Sequence, residues 1–205
     1  MVEVRSVMKI TKEWLKEKDA CKEGVDWFNN QSKIDSLEVL EALMKEDKNQ
    51  WGNWLICRLF DRKQRIQYAV FAAEQVIDIF EKKYPNDKRP RLAIEAAKKV
   101  LEDDNEVNRK LAYAAATTDA AAYAAIADAA AYAAYYAAYY AADAAAYAAA
   151  YATIAAAAYY AAYYAADAAA YAATATTAAY AKKQMQIKIL NYGLKLLKEK
   201  QNDDG

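Results

Sequence analysis

Along the first half of the chain, apolar residues recur at steps of three and four, the spacing of one helix face. The clearest run follows Asp61: Ile66, Ala69, Val70, Ala73, Val76, Ile77 and Phe80 fall on a single stripe. It predicts a helix ending at Tyr84-Pro85, because Pro85 excludes its predecessor from helical geometry. A further helix is expected from Pro90, a residue well placed in a first turn, to about Leu101. Asp-x-x-Glu/Gln occurs at Asp35/Glu38, Asp47/Gln50, Asp61/Gln64 and Asp103/Glu106. In each pair the Asp can accept from a free backbone N–H while the later side chain reaches back, so each predicts a helix start. Alternation of period two and Asn-Gly turns are missing, and no strand is expected.

The pattern changes after residue 110. Residues 111–181 hold 43 Ala, 15 Tyr and four Asp, with no Lys or Arg. Asp119, Asp143 and Asp167 stand 24 residues apart, and Tyr123, Tyr147 and Tyr171 keep the same interval. The block from Ala133 to Asp143 recurs from Ala157 to Asp167, as expected of one helical unit copied in tandem. Alanine is the strongest helix former, so helix is predicted throughout. One unbroken rod would exceed about 100 Å and could not bury a face on itself. Antiparallel helices of about 20 residues are therefore expected, each started by its repeat Asp. Their breaks would fall near Thr117-Thr118, Ala141-Ala142 and Ala165-Ala166, with Thr153-Ile154 as the competing register. At about 100° per residue, Tyr132, Tyr135, Tyr136, Tyr139 and Tyr140 gather on one side and alanine fills the other. Tyr159, Tyr160, Tyr163 and Tyr164 repeat the pattern. The alanine side predicts close helix contact, and the tyrosine side a second packing layer or a recognition surface.

Together these features predict an all-α fold, with short N-terminal helices over residues 1–102 packed on a repeat-like Ala/Tyr bundle over residues 103–200. Residues 1–110 carry 22 of the 28 basic groups and all four Trp. Trp14, Trp27, Trp51 and Trp54 read as core anchors of the N-terminal helices. The stretch Ala144–Ala166 is uncharged and long enough for a bilayer, but alanine drives insertion weakly and mid-span tyrosine pairs argue against it. No membrane association is expected.

Composition then limits the chemistry. Histidine is absent, which removes Ser-His and Cys-His nucleophile systems and histidine metal ligands. Four glycines, at Gly24, Gly52, Gly193 and Gly205, leave no room for a phosphate-cradling loop. Net charge is zero, so a dedicated nucleic-acid surface is not expected. Cys21 and Cys57 form no metal or disulfide spacing and read as buried free thiols in a reducing cytoplasm. Carboxylates at Glu74, Asp78, Glu81, Asp103 and Asp104 read as charged helix flanks rather than catalytic pairs. No enzyme activity, metal or other cofactor is expected.

What remains is recognition. The tyrosine ladder (Tyr132, Tyr135, Tyr136, Tyr139, Tyr140, Tyr159, Tyr160, Tyr163 and Tyr164) could grip a protein or stack on a planar ligand. If that ligand were phosphorylated, the flanking cations, Arg89 and Arg91 foremost, would have to supply its counter-charge.

The run from Phe80 to Lys98, with Tyr84-Pro85-Asn86-Asp87-Lys88-Arg89-Pro90-Arg91 at its centre, resembles a junction in a family of alanine-rich helical immunity proteins of phages and mobile elements. There Pro-x-Asp-x-Arg-Pro-Arg joins a Phe-Glu-containing helix to an Ile-Glu-Ala-Ala helix. Trp51–Val76 and Thr11–Val25 are similar in character. The resemblance implies a non-enzymatic immunity or counter-defence protein in the cytoplasm of a bacterial host. Such a protein would bind a toxin or defence-system protein, or sequester a small nucleotide-like signal. The resemblance assigns no site residues, and Ala173–Thr177 has no histidine where the family commonly carries one. The rival reading is a scaffold or homo-oligomer paired through alanine faces.

Overall fold

The computed structural model describes residues 8–117, 155–173 and 177–203. The fold is all-α. Ten residues into the chain, Thr11 opens α1 (Lys12–Glu17) by accepting the Trp14 amide at 3.1 Å. Next come α2 (Lys22–Asn29), α3 (Ser36–Lys45) and α4 (Asn49–Leu59). They are followed by α5 (Arg62–Glu74), α6 (Ile77–Lys83), α7 (Arg89–Glu102) and α8 (Glu106–Thr117). The second segment is α9 (Ala155–Ala172) and the third is α10 (Ala178–Asp203). The only β-type pairing among the described residues is an isolated bridge between Lys9 and Asp35.

Two of the four expected helix starts fall where read, one of them as a complete capping box. Asp35 accepts from the Leu37 and Glu38 amides, and Asp61 with Gln64 makes a complete capping box. The other two are corrected. Asp47 does not start α4; it ends α3, with φ of 58°. There the Lys48 amide reaches Leu43 O at 2.8 Å and the Asp47 amide reaches Met44 O at 3.2 Å, the paired bonds that close a helix through a left-handed residue. Asp19, also at φ 58°, ends α1 in the same way through Ala20 N to Leu15 O at 2.9 Å. Asp103 sits at the C-terminal end of α7, and Asn105 caps α8 by accepting the Asn108 amide at 2.8 Å.

The stripe after Asp61 is buried along its whole length, from Ile66 to Phe80. It is carried by two helices rather than one. The backbone turns at Gln75–Val76, where the Gln75 amide divides between Phe71 O and Ala72 O and Val76 leaves helical geometry. The bend lets both halves of a stripe longer than one straight contact reach the core. Pro85 stops α6 and Pro90 opens α7 as expected.

The core centres on α4, α5, α9 and α10. Helix α9 lies against α4, α5 and α10, while α7 covers α5 and carries α8. One buried cluster extends from Ile10 to Leu197 and draws on both compositional regions of the chain. Gly193 permits the closest approach: a Cβ there would stand 2.7 Å from Ile56 Cδ1 and 2.7 Å from Tyr68 Cε2. Buried polar groups then lock the helices together. Gln64 donates to Leu196 O at 2.9 Å, tying the start of α5 to α10. Asn53 accepts the Tyr68 hydroxyl at 2.9 Å and donates to Tyr159 O at 3.3 Å, tying α4 and α5 to α9.

Helix α9 corrects the expected break at Ala165-Ala166. It runs unbroken across that point, and the competing register at Thr153-Ile154 lies outside the described residues. Asp167 is accordingly no cap: it lies inside the helix and pairs with Lys182 of α10 at 2.5 Å. An ion pair between two packed helices satisfies it where a free backbone N–H does not. The described part of α8 runs to Thr117, and the expected breaks at Thr117-Thr118 and Ala141-Ala142 extend outside the described residues. No helix among the described residues is long and apolar enough to cross a membrane.

Candidate functional site: a tryptophan-lined crevice

On α9 the alanine side faces inward. Ala161, Ala162, Ala165 and Ala166 are all buried, and small side chains let this helix sit close on its neighbours. The tyrosines fall on the other side. Tyr160 is 48% exposed, while Tyr159, Tyr163 and Tyr164 are half-buried. Their rings form a chain, edge-on at 5.4 Å between Tyr159 and Tyr160, stacked at 6.0 Å between Tyr160 and Tyr164, and edge-on at 5.6 Å between Tyr163 and Tyr164. Tyr132, Tyr135, Tyr136, Tyr139 and Tyr140 lie outside the described residues.

Arg89 and Arg91 are placed elsewhere, at the start of α7. Arg89 grips Asp87 through two side-chain bonds of 2.8 and 2.5 Å, and Arg91 grips Glu81 through bonds of 2.9 and 2.6 Å. The Arg89 bonds hold the Asp87 carboxyl below its usual range, and Arg91 does the same to Glu81. These guanidiniums stabilise the α6–α7 corner. Three more flank carboxylates are ion-paired, Glu74 with Lys98, Asp78 with Arg91 and Asp104 with Arg62 and Arg109, and Asp103 accepts from the Asn105 side-chain amide.

A concavity among the described residues was not anticipated. Helices α1 to α4 enclose a crevice of about 290 Å³ whose far wall includes Tyr159 of α9. Trp27, Trp51 and Trp54 line it with Leu15, Phe28, Leu43 and Leu55. Trp14 does not line it and packs half-buried against the core. The three lining tryptophans are half-buried: they pack against the core, as expected of anchors, and they also line the crevice.

Small residues make the space. Ala20, Cys21 and Gly24, on the α1–α2 link and the first turn of α2, stand opposite the rings and fill little of the volume. Cys21 is exposed at this wall, which corrects the expectation of two buried thiols; Cys57 is buried beneath. Cys21 is the residue just before the first turn of α2, at the start of that helix.

Each ring is fixed by polar contacts at its edge or face. The Trp27 indole N–H donates to Glu46 at 2.8 Å, and this bond lowers the Glu46 pKa. Trp27 meets Trp51 edge-to-face at 6.4 Å. Lys48 Nζ stands 5.5 Å from the Trp51 centroid, and the Arg58 guanidinium lies 3.8 Å over Trp54. Arg58 also donates to Lys18 O at 3.2 Å and Trp54 O at 3.1 Å, clamping α4 to the end of α1. Burial raises the pKa of the Tyr159 hydroxyl, so it remains a neutral phenol across the physiological range. A walled apolar space with a few oriented polar groups is the usual form of a ligand-binding cleft.

The signal in the sequence was the pair Trp51/Trp54 three apart on α4, with Arg58 four residues after Trp54. That spacing puts two rings and a cation on one helix face. Among the described residues, no group of three His, Cys, Asp or Glu side chains could hold a metal ion. No family model matches the chain, and neither the curated proteins nor the solved structures compared with it contain a match.

Proposed function

We propose that the protein is a non-enzymatic immunity or counter-defence factor. It acts by stoichiometric capture, taking an apolar group of its partner into the crevice between α1, α2, α3 and α4. The observation that carries the capture reading is the set of three half-exposed tryptophans held in fixed orientation around a space of about 290 Å³. Preformed aromatic walls gain affinity because little side-chain freedom is lost on binding. The defence role rests on the likeness of the Phe80–Lys98 junction, and a cytoplasmic bacterial setting comes with it.

The same geometry favours an apolar partner over a nucleotide. Arg89 and Arg91 are engaged by Asp87 and Glu81, and neither lines the crevice. The inward burial of the α9 alanine face speaks against subunit pairing through that face, because the surface is used within the chain.

The test is titration with the neutral apolar fluorophore N-phenyl-1-naphthylamine, following energy transfer from tryptophan. One saturable site per chain is expected, lost in Trp51→Ala with helix content retained. No saturable binding, or binding untouched by Trp51→Ala, would refute the reading.

A further inference from the structure

The seat of α9 is made by a few side chains, and the sequence carries that set twice. Where α9 lies against α4, α5 and α10 it buries Ala161, Ala162, Ala165 and Ala166. Asp167 holds Lys182 of α10 at 2.5 Å, and Tyr159 stands in the far wall of the crevice. Twenty-four residues earlier, Ala137, Ala138, Ala141 and Ala142 follow in the same order, with Tyr135 before them and Asp143 after. Over the whole span of α9, Ala155–Ala172, the stretch 131–148 is identical at 17 of 18 positions. The one difference is Tyr132 in place of Ala156, which precedes the first of the four buried alanines by five residues.

Side-chain chemistry therefore gives the seat no means of telling 157–173 from 133–149, which match letter for letter. What separates the two is the length of the connecting chain. With 155–172 seated, 37 residues lie between Thr117 and the helix, and five between the helix and α10. With 131–148 seated, the links become 13 and 29 residues. Thirteen residues reach about 45 Å when extended, comparable with the breadth of a domain of this size. Loop-closure entropy grows only with the logarithm of length, so the two sets of links favour 155–172 by about threefold.

We infer that the seat on α4, α5 and α10 is shared: in a minority of molecules 131–148 takes the place of 155–172, with Asp143 on Lys182. The exchange keeps the buried core and the crevice wall, because Tyr135 then stands where Tyr159 stood. It alters the length of chain on either side of the seated helix and nothing in the packing beneath it. This goes beyond the capture reading, and neither depends on the other.

A carboxylate placed in the seat distinguishes the two copies. Ala165 is fully buried, and an aspartate there would lower the folded-to-unfolded ratio by about a hundredfold or more if 155–172 were the sole occupant. With a shared seat, Ala165→Asp should cost only about fourfold, as the rarer arrangement takes over. Ala141→Asp should cost little, and the double variant should show the full loss. Urea midpoints give the ratios, and light scattering compares the mass of each variant with that of the unchanged chain. Hydrogen exchange read by mass spectrometry adds the location: in folded Ala165→Asp the amides of 161–166 should lose protection. If Ala165→Asp is as unstable as the double variant, or 161–166 stay protected in it, the shared seat is overturned. A double variant as stable as either single change overturns it too. Rescue of Ala165→Asp confined to assemblies larger than the unchanged chain forms overturns exchange within one chain and assigns the seat to a second copy.

Discussion

Gly193 offers the sharpest test of how α10 seats on α4 and α5, because substitution there pits two known effects against each other. Alanine in place of glycine inside a helix gains about 1 kcal/mol from propensity. At this position the new methyl would stand 2.7 Å from both Ile56 Cδ1 and Tyr68 Cε2, well inside ordinary contact. Ile56 ends in a flexible methyl, but Tyr68 cannot swing aside. Its hydroxyl is bonded to Asn53 and its ring meets Phe60 edge-on at 5.2 Å. Overpacking of this kind costs about 1–3 kcal/mol, and the fixed ring places the cost at the upper end. The net expectation for Gly193→Ala is a loss of about 1–2 kcal/mol, or a Tm lower by about 2–8 °C for a chain of this size.

Gly52 supplies the control. It lies buried in α4 facing Leu190 of α10, but its nearest neighbour to a new Cβ is 3.4 Å away. Gly52→Ala should therefore be neutral or stabilising by up to about 1 kcal/mol. Urea unfolding followed by helical circular dichroism measures both. If Gly193→Ala raised the midpoint as much as Gly52→Ala, α10 would not lie where its contacts with Ile56 and Tyr68 require.

Other predictions address the caps, the thiols and the charges. Asp19→Gly, relieving a left-handed backbone at the end of α1, should stabilise by about 0.5–1 kcal/mol, read as a raised urea midpoint. Gln64→Ala removes the acceptor of the Asp61 amide, the reciprocal half of the α5 capping box, and the buried bond to Leu196 O, so a loss of about 1–3 kcal/mol is expected in the same assay. In the native protein one thiol should react with Ellman's reagent, Cys21, and the second only on unfolding, since burial raises the Cys57 pKa and shields it. Glu81, Asp87 and Asp104 have carboxyl pKa values lowered by their arginine partners. The unfolded chain binds their protons first, so stability should fall as pH drops below about 4.5, and Glu81→Gln should flatten that slope.

Where local chemistry decides the structure, the sequence was readable. The Asp61/Gln64 box, the stop at Pro85 and the start at Pro90 each follow from a few adjacent residues, and each is found. Asp47 and Asp103 were misread because an aspartate before a helix and one after a helix look alike when the link is a single turn. The continuity of α9 through Ala165-Ala166 escaped for a different reason: Asp167 is satisfied by Lys182, a partner 15 residues onward on another helix. The crevice was hidden by the usual habit of tryptophan. Its openness depends on Ala20, Cys21 and Gly24 being small on the opposite wall, a relation between segments that periodicity within one segment does not carry.

The bond from Asn53 to Tyr159 O has a consequence for how this gene can vary. It fastens the alanine-rich helix by its main chain, and a main-chain oxygen is the same whichever side chain it bears. The stretch 133–143 duplicates 157–167 letter for letter, so deletion of one 24-residue unit by replication slippage would deliver an identical surface to the same anchor. An exact internal repeat of the chain is thereby attached at a point indifferent to which copy arrives.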